Sequence, residues 1–164
     1  MMADLNRVQR QILILEQAMP QEKMTWRPGE GVRSVSEVYL HIAFANYVIG
    51  KASGIEPPAG LDLDEKNAAK WEASTTDKEK VAAELKKSFD YLKTGMLSFK
   101  EADMDRKIPV WGTQLTIRAI LLIAVTHHHE HLGQAIAYAR INGVVPPWTA
   151  AQQQKNKTAS EPKK

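Results

Sequence analysis

The sequence has no cysteine. Disulfide staples, thiolate zinc sites and cysteine nucleophiles are thereby excluded, and any metal must be held through nitrogen or oxygen. Long apolar runs are missing too. The longest, Ala119 to Val125, is far shorter than a membrane span. Asp4, Arg7, Arg10 and Glu16 interrupt the first stretch of chain, so it does not read as a signal peptide. The expectation is a soluble, cytoplasmic protein with no membrane partner. Excess charge is also missing where it would matter. The formal charge is +3, but Lys155, Lys157, Lys163 and Lys164 against Glu161 account for it, leaving residues 1–150 with 18 basic and 18 acidic groups. A nucleic-acid surface needs its positive excess on a folded face, so no nucleic-acid partner is expected. The chain of 164 residues is sized for one domain. That domain is expected over residues 1–150, followed by a polar, disordered tail over 151–164.

Apolar periodicity marks four long helices. Leu5, Val8, Ile12, Leu15 and Met19 recur at three- and four-residue steps, predicting a helix from Ala3 to about Met19 that Pro20 ends. Ser34 and Glu37 form a capping box that opens a second helix, Val35 to about Ala52. Thr76 to Glu79 reads as a second box, opening a third helix from Asp77 to about Phe99 with Val81, Leu85, Phe89, Leu92 and Met96 inward. Thr116 caps a fourth, Ile117 to Asn142, which Gly143 terminates. Residues 61–71 could form a short amphipathic segment, and 103–115 a loop or small β-hairpin. The fold expected is an all-α four-helix bundle in which long links make one or two crossovers.

All five histidines fall on two of these helices, four of them between His127 and His131. Each residue advances about 100° around a helix, so His127 and His131 share a face while His128 and His129 turn away from it. Two imidazoles four residues apart can share one metal ion. Ile120, Ala124, His127, His131, Gln134 and Tyr138 form one stripe, apolar first and then polar. His41 is the only histidine elsewhere, and it interrupts the apolar run from Val38 to Ala45. A third ligand must come from another helix, and His41 is placed to point inward. Alone, His41 would also fit a hydrogen-bonded core histidine, and the pair would also fit a surface patch. Three neutral imidazoles suit zinc, nickel, cobalt or ferrous iron and leave coordination positions open. Gln134, Glu37 and Glu130 are candidates to hydrogen-bond a ligand imidazole from behind, with Asn46 and Tyr138 weaker ones. The capping box already explains Glu37, and Glu130 fits a solvated helix residue. No residue is singled out as general base. Trp26, Trp111 and Trp148 are read as packing residues.

Three stretches carry a resemblance to a known family. Trp26-Arg27-Pro28, followed by Val32 to Val38 and ending on His41, resembles one metal-histidine region. His127 to His131 followed by Gly133-Gln134 resembles the other, and Tyr138 to Gly143 with Pro146-Pro147 resembles a C-terminal end. Together they resemble the DinB-like, or YfiT-like, superfamily described as metal-dependent hydrolases. The resemblance implies a four-helix bundle of unusual connection order, zinc or nickel on His41, His127 and His131, and a homodimer. Some relatives are transferases or isomerases that use low-molecular-weight thiols. The function classes are thus a hydrolase or thiol-dependent transferase acting on a small molecule, or a non-enzymatic, stress-associated metal-binding bundle. Leu121, Val125, Leu132 and Ile136 form a second apolar side on the last long helix, which a twin subunit would cover.

Overall fold

The computed structural model describes residues 1–160. Four long helices form the frame: α1 (Met2–Ala18), α2 (Val35–Ala52), α4 (Lys78–Ser98) and α5 (Ile117–Ile141). A one-and-a-half-turn helix, α3 (Ala68–Glu72), precedes α4, a hairpin of β1 (Lys107–Val110) and β2 (Thr113–Thr116) precedes α5, and α6 (Pro147–Ser160) follows it. Both α4 and α5 pack against α1 and against α2. Helices α1 and α2, consecutive in the chain, therefore lie across the diagonal of the bundle, as do α4 and α5. The links over 19–34 and 99–116 make these crossings, which is why they are long.

The local signals operate as the residues dictate. The Ser34 hydroxyl accepts from the Glu37 N–H while the Glu37 carboxylate accepts from the Ser34 N–H at 2.6 Å. Thr116 caps α5 by accepting from the Ala119 N–H. Gly143 takes a φ of 76°, the left-handed position that ends α5. At α4 the cap lies one residue later than the sequence suggests. Asp77, not Thr76, accepts from the N–H groups of Glu79 and Lys80, because a carboxylate there meets two free donors. Residues 107–116 form the hairpin, with Val110 opposite Thr113. The tail differs more. Residues 151–160 continue α6 as a helix, and 161–164 lie outside the described residues. Low apolar content forbids that segment a core but not a helix. Its Ala, Gln and Lys residues favour one, Pro147 starts it, and Gln152 bonds Asn156 across one turn at 2.9 Å.

The core runs the length of the bundle. Leu5, Val8, Ile12 and Leu15 are fully buried, each worth roughly 2 kcal/mol of transfer free energy. The second apolar side of α5 is covered within the chain: Leu121, Val125 and Leu132 are buried, and α1 packs on that helix. That stripe therefore does not itself require a twin subunit. Close approach fixes two glycines: a Cβ at Gly50 of α2 would run into the ring of Tyr91 on α4, and one at Gly95 of α4 would run into Ile55. No helix among the described residues is long and apolar enough to cross a membrane.

One buried group works against the core. Glu16 is fully buried on α1, and neither carboxylate oxygen has a hydrogen-bond partner among the described residues; the same is true of the neighbouring Tyr39 hydroxyl. Burial pushes the Glu16 carboxyl up to about 7, opposed by the charge of Lys78. The native state thus binds a proton that the unfolded chain releases near 4.5. Stability from this residue is intact below the unfolded value and is lost as pH rises through 7. Glu16→Gln should therefore stabilise the protein at pH 8 by roughly 3 kcal/mol relative to its effect at pH 4.5. Urea unfolding of both proteins at the two pH values measures this, and an unchanged difference would rule it out.

Candidate metal centre

Three histidines from two helices meet inside the bundle. Ring nitrogens of His41 on α2 and of His127 and His131 on α5, one from each, all lie within 4.8 Å of one another. The ring centroids are 5.0 Å apart for His41 and His127, 4.6 Å for His41 and His131, and 4.3 Å for His127 and His131. The Nε2 atoms of His41 and His127 approach to 3.1 Å. Nitrogens sharing one tetrahedral zinc at 2.0–2.1 Å stand about 3.3 Å apart, so this spacing fits a single ion.

Hydrogen bonds on the outer nitrogens decide what faces the centre. His41 Nδ1 lies 2.7 Å from Glu72 Oε1, a carboxylate that can only accept. His41 therefore carries its proton on Nδ1 and presents a bare Nε2. His131 Nδ1 lies 2.8 Å from Gln134 Oε1. The Gln134 amide donates to the Tyr138 hydroxyl, which donates to the Arg33 carbonyl, each at 3.1 Å. That chain fixes the His131 proton on Nδ1 as well. The second nitrogen of each ring is thus left without a proton, the form in which an imidazole can hold a cation. His127 Nδ1 is buried without a partner among the described residues. Burial first, and then the neighbouring imidazoles and Arg33, push His127 down to about 3. Burial likewise lowers His131, against the hydrogen bond it donates to Gln134. Both rings are neutral at physiological pH, the form that ligates metal.

Glu72 is the site residue that sequence reasoning missed. It closes α3, is buried, and receives two hydrogen bonds from Arg33, 2.6 Å from Nε and 3.2 Å from Nη2. Burial would raise its carboxyl, but the hydrogen bonds from His41 and Arg33 outweigh that and hold it below the ordinary range. Its only advance sign is an acid at the end of an amphipathic segment beside Trp71. Gln134 stands where the spacing puts it. Glu37 does not reach the histidines. Its carboxylate is taken by the Ser34 N–H and, at 3.1 Å, by Arg27, which overcome burial and lower it. Glu130 is exposed on α5 and makes no hydrogen bond to the three imidazoles.

The other two histidines of the cluster serve different neighbours. His128 is fully buried and bonds Asn46 Oδ1 at 2.5 Å, while Asn46 donates to Ser88 at 3.0 Å. This links α5, α2 and α4 and takes Asn46 away from the metal centre. Burial pushes His128 down to about 3. His129 sits at the surface, 3.0 Å from Asp4 of α1.

Two clefts share Arg33 and Glu72. One, of about 490 Å³, has a mixed polar and apolar lining that includes Arg27, Glu37 and Gln134 and none of the three histidines. The other, of about 310 Å³, is mostly apolar and includes His41 and His127.

The comparisons place this architecture. A DinB-like protein from Bacillus cereus ATCC 10987 is similar at 16% identity and a TM-score of 0.69, over 88% of this chain and 89% of that one. A DinB-like protein from Bacillus subtilis is similar at 19% identity and a TM-score of 0.66, over 87% and 94%. A conserved protein from Enterococcus faecalis gives 17% and 0.65, over 84% and 92%. These likenesses establish the fold. No curated protein matches the chain. The profile of the DinB superfamily matches residues 4–135, and with the bundle and its connection order the chain belongs to that superfamily.

Proposed function

We propose that the protein is a metal-dependent enzyme acting on a small molecule, with zinc or nickel held by His41, His127 and His131. The observation that carries this is the pair of fixed tautomers: Glu72 and Gln134 hold protons on the outer nitrogens of His41 and His131, leaving bare nitrogens facing His127. A closed structural site would use a fourth protein ligand, and no fourth group joins the three among the described residues. The ion supplies a Lewis acid with open positions for water or a thiol, which suits either hydrolysis or thiol transfer to an electrophile.

The residues of the chain divide the remaining work. Glu72 makes His41 a stronger donor and fixes its ring. Arg33 fixes Glu72 in turn through the two-pronged hydrogen bond. Gln134 and Tyr138 anchor His131 to the backbone at Arg33. Both Glu72 oxygens are engaged, so this carboxylate orients an imidazole and is not free to take a proton from a substrate.

Elemental analysis of the purified protein, reconstituted with zinc or nickel, should find close to one ion per chain. His41→Ala and His127→Ala should each lose it, and His129→Ala, at the surface with Asp4, should keep it. No bound ion in the reconstituted protein would overturn the reading. Turnover of ester or thiol–electrophile pairs by the loaded protein then separates an enzyme from a bundle that only binds metal. Glu72→Gln tests the supporting carboxylate: the stoichiometry should persist while the dissociation constant rises about 10–100-fold in a competitive chelator titration. An unchanged constant would show that Glu72 supports the fold alone.

A further inference from the structure

Trp111 occupies a backbone position that a tryptophan disfavours. The hairpin turn joins Val110 to Thr113 through two residues, with φ of 49° at Trp111 and 74° at Gly112. Both values are positive, as in the type I′ turn, where asparagine followed by glycine is the favoured pair. Trp111 is the only residue other than glycine with positive φ among the described residues, and a bulky side chain there is strained. Packing does not explain it, contrary to the sequence expectation, because Trp111 is 48% exposed. Strain of this kind persists where function uses the side chain.

The ring lines the apolar cleft of about 310 Å³. His41 and His127 lie in the same cleft, and Phe44, Val48 and Ile123 complete the apolar lining. Ile123 is itself 37% exposed, so apolar surface stands open beside the histidines. The volume is that of a small-molecule pocket, not of a protein-sized groove. Water gains little from such walls, whereas an aliphatic or aromatic group gains by leaving water for them. Arg33 and Glu72, also in the cleft, are paired with each other, which leaves the exposed Glu65 as the other charged residue of the lining and no unpaired cation there to hold an anionic substrate.

We propose that the substrate carries an aliphatic or aromatic group next to its reacting polar end, and that Trp111 is the residue that selects for that group. The inference rests on the metal reading above, since it places the polar end at the three histidines.

Two hydroxamates that differ only in their tails test this on the zinc-loaded protein: acetohydroxamate and octanohydroxamate. Titration calorimetry should find the octanoyl compound at least tenfold tighter. Trp111→Asn should lose most of that gain and Trp111→Phe should recover part of it, while acetohydroxamate, which lacks the tail, reports the metal alone. The indole N–H resonance of Trp111, assigned by its loss in Trp111→Asn, should move with the octanoyl compound and not with acetohydroxamate. Trp111→Asn should also melt at a higher temperature, since asparagine accepts the left-handed conformation. Equal affinity for the two compounds would overturn this inference and leave the metal reading standing. Failure of both to bind would overturn both. If sedimentation shows that Trp111→Asn splits a dimer, the ring belongs to an interface between copies and the inference falls.

Discussion

A neutral imidazole presents a lone pair on one nitrogen only, and the proton on the other must go somewhere. In the interior of a helical bundle it cannot go to bulk water. The centre of this protein depends on that constraint. His41 donates its N–H to Glu72, and His131 donates its N–H to Gln134. Meeting these two needs draws in much of the architecture. Glu72 requires α3 to lie against α2, and its own burial requires the guanidinium of Arg33. Gln134 requires Tyr138, whose hydroxyl reaches the backbone at Arg33. Residue 33 thus ties both branches together at the entrance to α2, beside the Ser34 cap. The geometry at the three rings follows from hydrogen bonds outside them.

The histidine cluster on α5 illustrates how a helix divides adjacent, identical residues among different tasks. Successive positions turn by about 100°, and α5 has neighbours on more than one side. His127 faces His41, His128 faces the Asn46–Ser88 pair between α2 and α4, and His129 meets Asp4 on α1. His131 returns to the first direction. Density of histidine in the sequence is therefore a poor guide to ligand number, whereas angular position is a good one. His128 is as buried as any core residue, yet its Nε2 meets Asn46 and not the other histidines.

What could be read in advance follows the same division. Helix limits were legible because local chemistry sets them: the Ser34–Glu37 box, the Thr116 cap and Gly143 act within a few residues. The three histidines were legible because helical spacing is local and because His41 interrupts an apolar run. Glu72 was not. It meets His41 across 31 residues of sequence, and its segment, Ala68–Glu72, carries no pattern distinguishing it from any amphipathic turn. Glu16 was hidden for a related reason. It adjoins the apolar stripe of α1, and a carboxylate beside a stripe ordinarily reaches solvent; only the packing around α1 denies it that. The covering of Leu121 and Val125 by their own chain was equally invisible, since it depends on the diagonal placement of the helices. The helix over 151–160 was overlooked because lack of apolar residues was equated with lack of structure.

Two features reduce stability, and they differ in kind. Glu16 sits buried without a hydrogen-bond partner among the described residues, and the hydrogen bonds that order the three histidines do not include it. Trp111 sits at the only left-handed position among the described residues that is not held by glycine. Asparagine would relieve that strain at once, with the hairpin unchanged. Trp111 stands apart from the other turns of the chain, whose positive-φ positions among the described residues are all glycine. The difference lies in location. The turn overhangs the cleft that holds His41 and His127, and a flat apolar ring there covers surface that a short polar side chain would leave to water. Strain in the hairpin and apolar surface beside the histidines therefore belong to one cleft, which residues of the bundle and of the strained turn line together.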